Sequence, residues 1–176
     1  MEKVKMILGI DPGLKGALAF FDPETRRLVT YAMPVEERSN GKRYLLAGEI
    51  VRIIQTHQGL QTHLKVPLGL QTHPTPIPLQ AFLEDVYSSP QMGVTSAFTF
   101  GEGKGTLVGI LTTLAVPIHY VSPTRWKGKL KLTADKTVTK AFARALFPTC
   151  SKSTLSTEGK CEAALIAQYG SLVIAG

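Results

Sequence analysis

Four acidic residues stand where predicted secondary structure begins or ends, and they are the first candidates for chemistry. Asp11 directly follows the apolar run VKMILGI, and Glu84 closes the apolar stretch AFL of another predicted strand. Glu158 and Glu162 are four residues apart at the start of an apolar helical segment, so they lie on one face, about 6 Å apart at Cβ. Carboxylates at such boundaries lose solvation, and a cation or hydrogen bonds must compensate for the free energy of that loss. Together they could hold two Mg²⁺ ions, with Mn²⁺ as a substitute, one to activate water and one to stabilise the leaving oxygen of a phosphodiester.

The pair Glu158 and Glu162 has an alternative explanation. Acidic residues in the first turn of a helix complement the positive end of the helix dipole, a common arrangement without any chemistry. Glu162 is, however, followed by the small apolar segment AALIA, which would let the helix pack closely on a sheet. Close packing could bring its acidic edge to Asp11 and Glu84, so both explanations stay open.

The elements that must position these carboxylates are strands followed by alternating helices and strands. Three apolar or β-branched runs separated by turn residues predict a meander, at residues 4–10, 16–21 and 27–33. Two further strands are predicted at residues 79–86 and 116–121. Apolar residues recur at helical spacing in residues 44–55, 106–114, 133–146 and 158–174. This order predicts an α/β fold whose mixed five-stranded sheet combines an antiparallel meander with parallel strands and carries helices on both faces.

The length of 176 residues predicts one domain, residues 1–176, with a loop insertion at about 57–78. That stretch contains GLQTH twice, is rich in proline and lacks apolar periodicity. Its three histidines, His57, His63 and His73, are explained more simply by the repeat than by a metal site. We therefore predict a solvated loop.

Composition and terminal sequence narrow the class of protein. Hydrophobic residues make up 44% and charged residues 19%, which excludes wholesale disorder, and no apolar run is long enough to cross a bilayer. Cys150 and Cys161 lack metal-ligand spacing and are predicted to be reduced thiols. Because the first residues lack the pattern of a signal or transit peptide, we expect a soluble protein of the cytoplasm or nucleoid, bacterial or phage-encoded. An organelle is the alternative if a transit peptide has been removed.

The net charge of +7 comes from the C-terminal part of the chain. Residues 101–176 carry ten Lys and Arg against four Asp and Glu, whereas residues 1–100 carry ten against nine. A basic face favours a polyanionic partner such as DNA or RNA, since phosphate contacts release counterions. Many basic proteins bind no nucleic acid, so the charge favours a nucleic acid as the partner but does not establish it.

Six segments of the chain carry a recognisable pattern, and they are GIDPGLKGALAFF, FLEDVYSSPQMG, SAFTFGEGKGTLVGIL, VSPTRWKGKLKL, ADK and EGKCEAALIAQYG. Together they resemble the RuvC-type Holliday junction resolvases, especially their small phage, bacterial and organellar relatives. They follow the order of that family from about residue 7 to residue 170, apart from the GLQTH insertion. The resemblance implies a ribonuclease H-like fold, a homodimer, and symmetric paired incisions in opposing strands of a four-way DNA junction.

The same resemblance implies roles for the acidic residues. Asp11 resembles the metal ligand of the first strand, Glu84 that of the central strand, and Glu162 that of the last helix. Glu158 resembles the upstream partner of Glu162, but relatives that read DGRAEA usually have Asp there. Since Glu is longer by one methylene, Glu158 is expected to reach the metal differently or through water.

Basic and aromatic residues complete the predicted site. Lys127 and Lys136 resemble residues that the family places by the scissile phosphate, where an ammonium would stabilise the transition state, and Trp126 is expected to pack under Lys127. Phe98 and Phe100 could stack on a base at the junction centre, although a core position is slightly the more common explanation. A solvated basic face would also explain Lys127 and Lys136. The other predicted DNA contacts are Lys104 and three lysines for which the same alternative holds, Lys129, Lys131 and Lys140.

Two other functions fit part of the sequence. A junction-binding module without catalysis is suggested by the Glu158 departure and by the insertion. A phosphotransferase of the actin and sugar-kinase type also presents an Asp beside glycines on its first strand, but it needs a second domain for which 176 residues leave no space. The alternating glycines of residues 101–105 could suggest a phosphate cradle, yet they lack the preceding strand of a nucleotide fingerprint, so no nucleotide cofactor is predicted.

Overall fold

A computed structural model describes residues 6–39, 41–59, 77–88 and 91–175 of the chain. Most of the predicted insertion, with His63 and His73, lies outside these residues. The elements of the described ranges are, in chain order, β1 (Met6–Asp11), β2 (Ala17–Phe21), β3 (Leu28–Ala32), β4 (Val35–Glu37), β5 (Arg43–Leu45), α1 (Ala47–His57), β6 (Leu79–Glu84), α2 (Val94–Thr113), β7 (Ile118–Val121), α3 (Pro123–Lys129), α4 (Lys136–Leu146) and α5 (Glu158–Ala175).

Five strands form one mixed sheet in the order β3-β2-β1-β6-β7. β2 pairs antiparallel with both β1 and β3, whereas β6 pairs parallel with both β1 and β7. The predicted combination of an antiparallel meander with parallel strands is therefore confirmed. Because β1, β6 and β7 run in the same direction, their carboxyl ends meet at one edge of the sheet.

Apolar side chains of the sheet alternate between two cores. Ile7 and Phe82 belong to the core under α3, α4 and α5, whereas Leu8, Ile10 and Leu83 belong to the core under α1 and α2. This alternation follows the two-residue period of a strand. Helices therefore cover both faces, as the sequence predicts.

Helix α5 packs directly on the sheet because a glycine at each of two contact points leaves no side chain between the helix and the backbone of the sheet. A Cβ at Gly9 of β1 would lie 2.5 Å from Ala167 N and closer still to the carbonyl oxygen of Ala163. A Cβ at Gly159 would lie 2.5 Å from the carbonyl oxygen of Lys15, in the turn after β1. These two contacts fix the acidic start of α5 against the carboxyl end of β1.

Helix α2 begins at Val94 and not near residue 106, which corrects the predicted boundary. The glycines of residues 101–105 are therefore helical and form no phosphate-binding loop. The first half of α2 gives no helical pattern of apolar residues, because the buried residues of the helix all lie in its second half. They are Leu107, Ile110 and Leu111. The first half of α2 extends beyond the core.

Helix α1 differs from its predicted bounds of 44–55 at both ends. Tyr44 belongs to β5, and the helix continues to His57, which the sequence assigned to a solvated loop. The His57 ring instead stacks on Phe20 at 3.8 Å, and its Nε2 lies 3.1 Å from the hydroxyl of Tyr31. Burial lowers the pKa of His57, and the ring packs as part of the core under α1.

A short β-hairpin and a short helix are absent from the sequence prediction. The strands β4 and β5 pair as an antiparallel hairpin of three residues each, too short and too polar to give an alternation signal. Helix α3 occupies seven residues for which the sequence predicts no helix, and its Pro123 takes an early helical position where no amide hydrogen is needed.

Helix α4 begins at Lys136 and not at residue 133, because Asp135 caps it. One carboxylate oxygen of Asp135 accepts hydrogen bonds from the backbone N–H groups of Thr137 and Val138, at 2.7 and 3.3 Å. Capping of this kind satisfies amides that have no partner inside the helix. Lys136 is therefore held at the first position of a defined helix.

Both cysteines have free thiols, and Cys150 is half-buried whereas Cys161 is buried.

No helix within the described ranges is both long and apolar enough to span a bilayer.

Candidate active site

Asp11 and Glu84 lie side by side at the carboxyl edge of the sheet. Ile10 of β1 is opposite Leu83 of β6, so Asp11 and Glu84 are the next residues along these two parallel strands. Neighbouring strands of a sheet lie about 4.8 Å apart. Gly9 and Phe82, which lie two residues before Asp11 and Glu84, face α5. Both carboxylates therefore point to the side of the sheet that α5 covers.

Glu84 is buried and has a specific hydrogen-bond donor. Only 7% of its surface is exposed, and the indole Nε1 of Trp126 donates to its Oε1 at 2.8 Å. Burial raises the pKa of Glu84, and Glu162 raises it further, while the Trp126 hydrogen bond and the charge of Lys127 lower it. The fully buried Trp126 thus fixes one oxygen of Glu84 and leaves the other available.

The first turns of α5 bring the other two predicted carboxylates to the same edge, and each meets a lysine. Lys127 Nζ donates to Glu162 Oε1 at 3.1 Å, and Lys136 Nζ lies 2.7 Å from Glu158 Oε1. The first pair is largely shielded from solvent, whereas Lys136 is exposed. The hydrogen bond to Glu158 raises the pKa of Lys136, and Glu162 and Asp11 add smaller contributions of the same sign.

Asp11 has the most perturbed pKa of the acidic group. Its pKa rises from the ordinary value of 3.8 to about 7, first because of burial and then because Glu84 and Glu162 repel its charge. Glu158 adds a weaker repulsion, and the backbone N–H of Gly13, 3.4 Å from Oδ1, opposes the rise only partly. A buried carboxylate whose pKa is raised by its own burial and by three neighbouring carboxylates is typical of a cation-binding site.

The donor set of this cluster fits a hard divalent cation. All four side chains are carboxylates, and oxygen ligands are those that Mg²⁺ and Mn²⁺ prefer. In the described parts of the chain, no three His, Cys, Asp or Glu side chains are arranged to ligate one ion as they stand. In each ion pair the lysine contacts one oxygen of Glu158 or Glu162, so ligation of an ion would use the other oxygen or replace the lysine.

The predicted basic residues lie in and around α3 and α4. Lys127 and Lys136 touch the acidic cluster directly, and Lys140 lies one turn after Lys136 in α4. Lys129 at the end of α3 and Lys131 just beyond it are exposed. These residues put a basic flank beside the carboxylates, and contact with DNA stays a prediction for each of them.

The predicted residues of α2 divide into three environments. Phe98 is 73% exposed, which rules out the core position, while Phe100 is partly buried. Lys104 Nζ forms an ion pair with Asp85 Oδ1 at 2.7 Å and also donates to the carbonyl oxygen of Val86 at 3.1 Å. Lys104 therefore ties α2 to the end of β6, and its predicted contact with DNA would have to form alongside this ion pair.

Trp126 is the site residue whose main contact the sequence prediction missed. Its packing beside Lys127 is confirmed, with Nζ 5.0 Å from the ring, but its hydrogen bond to Glu84 was not expected. A signal was available, because a buried indole N–H usually finds an acceptor, and Trp126 is the single tryptophan of the chain.

The comparisons with known proteins identify the fold. The sequence matches no protein-family model, and no curated protein matches it significantly. Among solved structures the chain is similar to RuvC of Thermus thermophilus, with a TM-score of 0.51 and 17% identity over 96% of each chain. It is also similar to T. thermophilus RuvC in complex with a Holliday junction substrate, with a TM-score of 0.48 and 17% identity over 94% of this chain and 92% of that one.

A third solved structure is the yeast mitochondrial Holliday junction resolvase Ydc2, with a TM-score of 0.46 and 12% identity over 97% of this chain and 78% of that one. The order of the strands in the sheet, together with the similarity to T. thermophilus RuvC, shows a ribonuclease H-like fold. The chain shares this fold with T. thermophilus RuvC over 96% of the length of each chain. The fold predicted from the sequence motifs is confirmed.

Proposed function

We propose that this protein is a divalent-metal-dependent endonuclease that cuts four-way DNA junctions. The observation that carries the proposal is the cluster at the carboxyl edge of the sheet, where Asp11, Glu84, Glu158 and Glu162 meet two lysines. A ribonuclease H-like fold with RuvC as a structural neighbour, and the RuvC-like order of six sequence segments, support the choice of substrate.

Three of the four carboxylates have clear roles in this proposal. Asp11, Glu84 and Glu162 would hold the metal, and Glu158 would assist directly or through water. Two Mg²⁺ ions, replaceable by Mn²⁺, would activate the attacking water and neutralise charge on the leaving oxygen. Trp126 keeps the Glu84 carboxylate oriented, which matters because small displacements of ligands have large effects on such sites.

The two lysines act on the phosphate in this account. Lys127 and Lys136 lie at the carboxylates that would bind metal, so a phosphodiester at the same place would meet both ammonium groups. Their charge would stabilise the transition state, which carries more negative charge than the substrate. The exposed Lys136 is free to turn from Glu158 to the incoming phosphate with little cost in packing.

Symmetric cutting of a junction requires two active sites facing opposing strands, so we propose a homodimer. The exposed Phe98, on the part of α2 that extends beyond the core, would stack on bases at the junction centre. Work on DNA would put the protein in the cytoplasm or nucleoid, or in an organelle.

The test separates binding from chemistry. Asp11→Asn should keep the affinity for a synthetic four-way junction and lose Mg²⁺-dependent cleavage, since the amide preserves shape but is a poor metal ligand. Asp22→Asn is the matched control, because Asp22 only organises the turn between β2 and β3. If a folded Asp11→Asn protein loses binding as well, Asp11 is structural and the proposed role is wrong.

A second candidate is a junction-binding module without catalysis. It is favoured by the two ion pairs, which already give Glu158 and Glu162 a cationic partner each. Under this alternative the wild-type protein binds the junction tightly, and neither Mg²⁺ nor Mn²⁺ produces cleavage. Accumulation of nicked strands with either metal excludes it.

A further inference from the structure

A groove on the other side of the sheet edge carries positive charge that the sequence analysis did not assign. Its walls are the turn after β1, the tip of the β4–β5 hairpin and the first half of α2. The turn contributes Lys15, and the hairpin contributes Lys42 and Arg43. All three are exposed and belong to the N-terminal part of the chain, where the overall charge balance gave no sign of a basic surface.

The groove adjoins the acidic cluster. Pro12 and Gly13, the two residues after Asp11, form part of its lining. Lys127 and Lys136 approach Asp11 from the face of α5, whereas α2 and the hairpin lie on the opposite face, with Leu45 in the core under α1 and α2. The carboxylates therefore stand between two groups of cations.

The floor of the groove is apolar and includes an aromatic ring. Phe100 and Met92 line it together with Leu14, and Thr95 and Thr99 lie beside them, with the Thr99 hydroxyl donating to the carbonyl oxygen of Thr95 at 3.0 Å. An apolar floor with hydroxyls and a cationic rim matches the parts of a nucleotide, whose base stacks on aromatic rings and whose phosphate binds ammonium and guanidinium groups. Its volume of about 530 Å³ is large enough for one nucleotide.

We infer that this groove holds the DNA strand that leads away from the phosphate at Asp11, with Lys15, Lys42 and Arg43 on its phosphates and an unpaired base over Phe100. The inference rests on the proposed function and adds to it a strand path and a position at which sequence can be read. DNA is the occupant that the charge favours, because the groove brings three cations to the edge of a site that would bind a phosphodiester.

The first test removes the charge from both walls at once. Lys15→Ala/Arg43→Ala should weaken binding of a synthetic four-way junction at least tenfold at low salt, without changing the melting temperature. The dependence of log Kd on log salt should become less steep by about 1.8 for each protomer that contacts the junction, because each lost phosphate contact accounts for about 0.9. The matched control is Lys152→Ala/Arg52→Ala, which removes the same charges from exposed positions away from the groove.

The second test examines the aromatic floor. 2-Aminopurine placed next to the crossover should change its fluorescence on binding the wild-type protein, and Phe100→Leu should reduce that change and raise Kd about fivefold or more. Leucine fills most of the volume of Phe100 but offers no ring for stacking. An unchanged 2-aminopurine signal in Phe100→Leu overturns the assignment of a base to this floor.

The outcomes distinguish the inference from the function on which it rests. If the wild-type protein neither binds nor cuts junctions, the proposed function fails. If it does both and Lys15→Ala/Arg43→Ala behaves like its control, only the groove assignment fails. Sedimentation of each variant completes the test, since a loss of affinity that accompanies a changed oligomeric state means that the groove faces a second copy, which also overturns the inference.

Discussion

Replacing Asp11 with Asn should make the metal-free protein more stable while removing its activity. In the folded protein the Asp11 carboxylate is buried and is repelled by the charges of Glu84 and Glu162. Burial and this repulsion raise its pKa from 3.8 to about 7. In the unfolded chain the same group ionises near its ordinary value. Asn keeps the size and the hydrogen-bonding capacity of the side chain but has no charge to repel.

The sign and size of the effect follow from linkage. Between about pH 4 and pH 7 the unfolded chain loses the Asp11 proton while the folded protein keeps it, so the free energy of unfolding falls as pH rises and levels off above pH 7. At about 1.36 kcal/mol for each tenfold change in proton affinity, the loss approaches about 4 kcal/mol. Because Glu84 shares the titration, about 2 to 4 kcal/mol is the expected gain for Asp11→Asn above pH 7.

Urea unfolding in EDTA at several pH values measures this gain. The two proteins should be almost equally stable near pH 4 and should diverge up to pH 7. Asp85→Asn is the matched control with the opposite expected sign, since the Lys104 ion pair lowers the pKa of Asp85. If Asp11→Asn is less stable than the wild-type protein at pH 8, the carboxylate is not electrostatically strained and the argument for a cation site loses its basis.

Three further predictions concern packing, orientation and charge. Gly9→Ala should lower the free energy of unfolding by more than about 3 kcal/mol in urea titrations, because its Cβ would collide with the backbone of α5 at Ala163. Trp126→Phe keeps an aromatic side chain but leaves buried Glu84 without its donor, so the acid limb of the pH–rate profile for cleavage should move to higher pH. Lys136→Ala should slow single-turnover cleavage at least about tenfold, whereas Lys152→Ala should cut at the wild-type rate.

Much of the sheet and its acidic edge could be predicted from the sequence because the signals are local. Long apolar runs that stop at Asp11 and at Glu84 define two strand ends directly. The acidic start of α5 could be identified because the small residues after Glu162 predict close packing, which Gly9 then permits. Helix α5 begins at Glu158, the predicted position.

The parts that could not be predicted depend on contacts between distant segments. The β4–β5 hairpin has only three residues in each strand, so its pairing leaves no periodic pattern. The hydrogen bond from Trp126 to Glu84 joins residues 42 positions apart, and the two ion pairs depend on where α3 and α4 pack beside α5. The basic groove combines Lys15 with Arg43 only because the hairpin folds beside the turn after β1.

The central claim is that the carboxylates around Asp11 form a metal-dependent nuclease site for DNA junctions, and cleavage of a synthetic four-way junction by the wild-type protein tests it most directly. In Mg²⁺ we expect two symmetric nicks in opposing strands, ends that a ligase can seal, no cleavage in EDTA and little cleavage of linear duplex of the same sequence. A folded protein that leaves junctions of several sequences intact in both Mg²⁺ and Mn²⁺, or that cuts linear duplex equally well, would contradict the account.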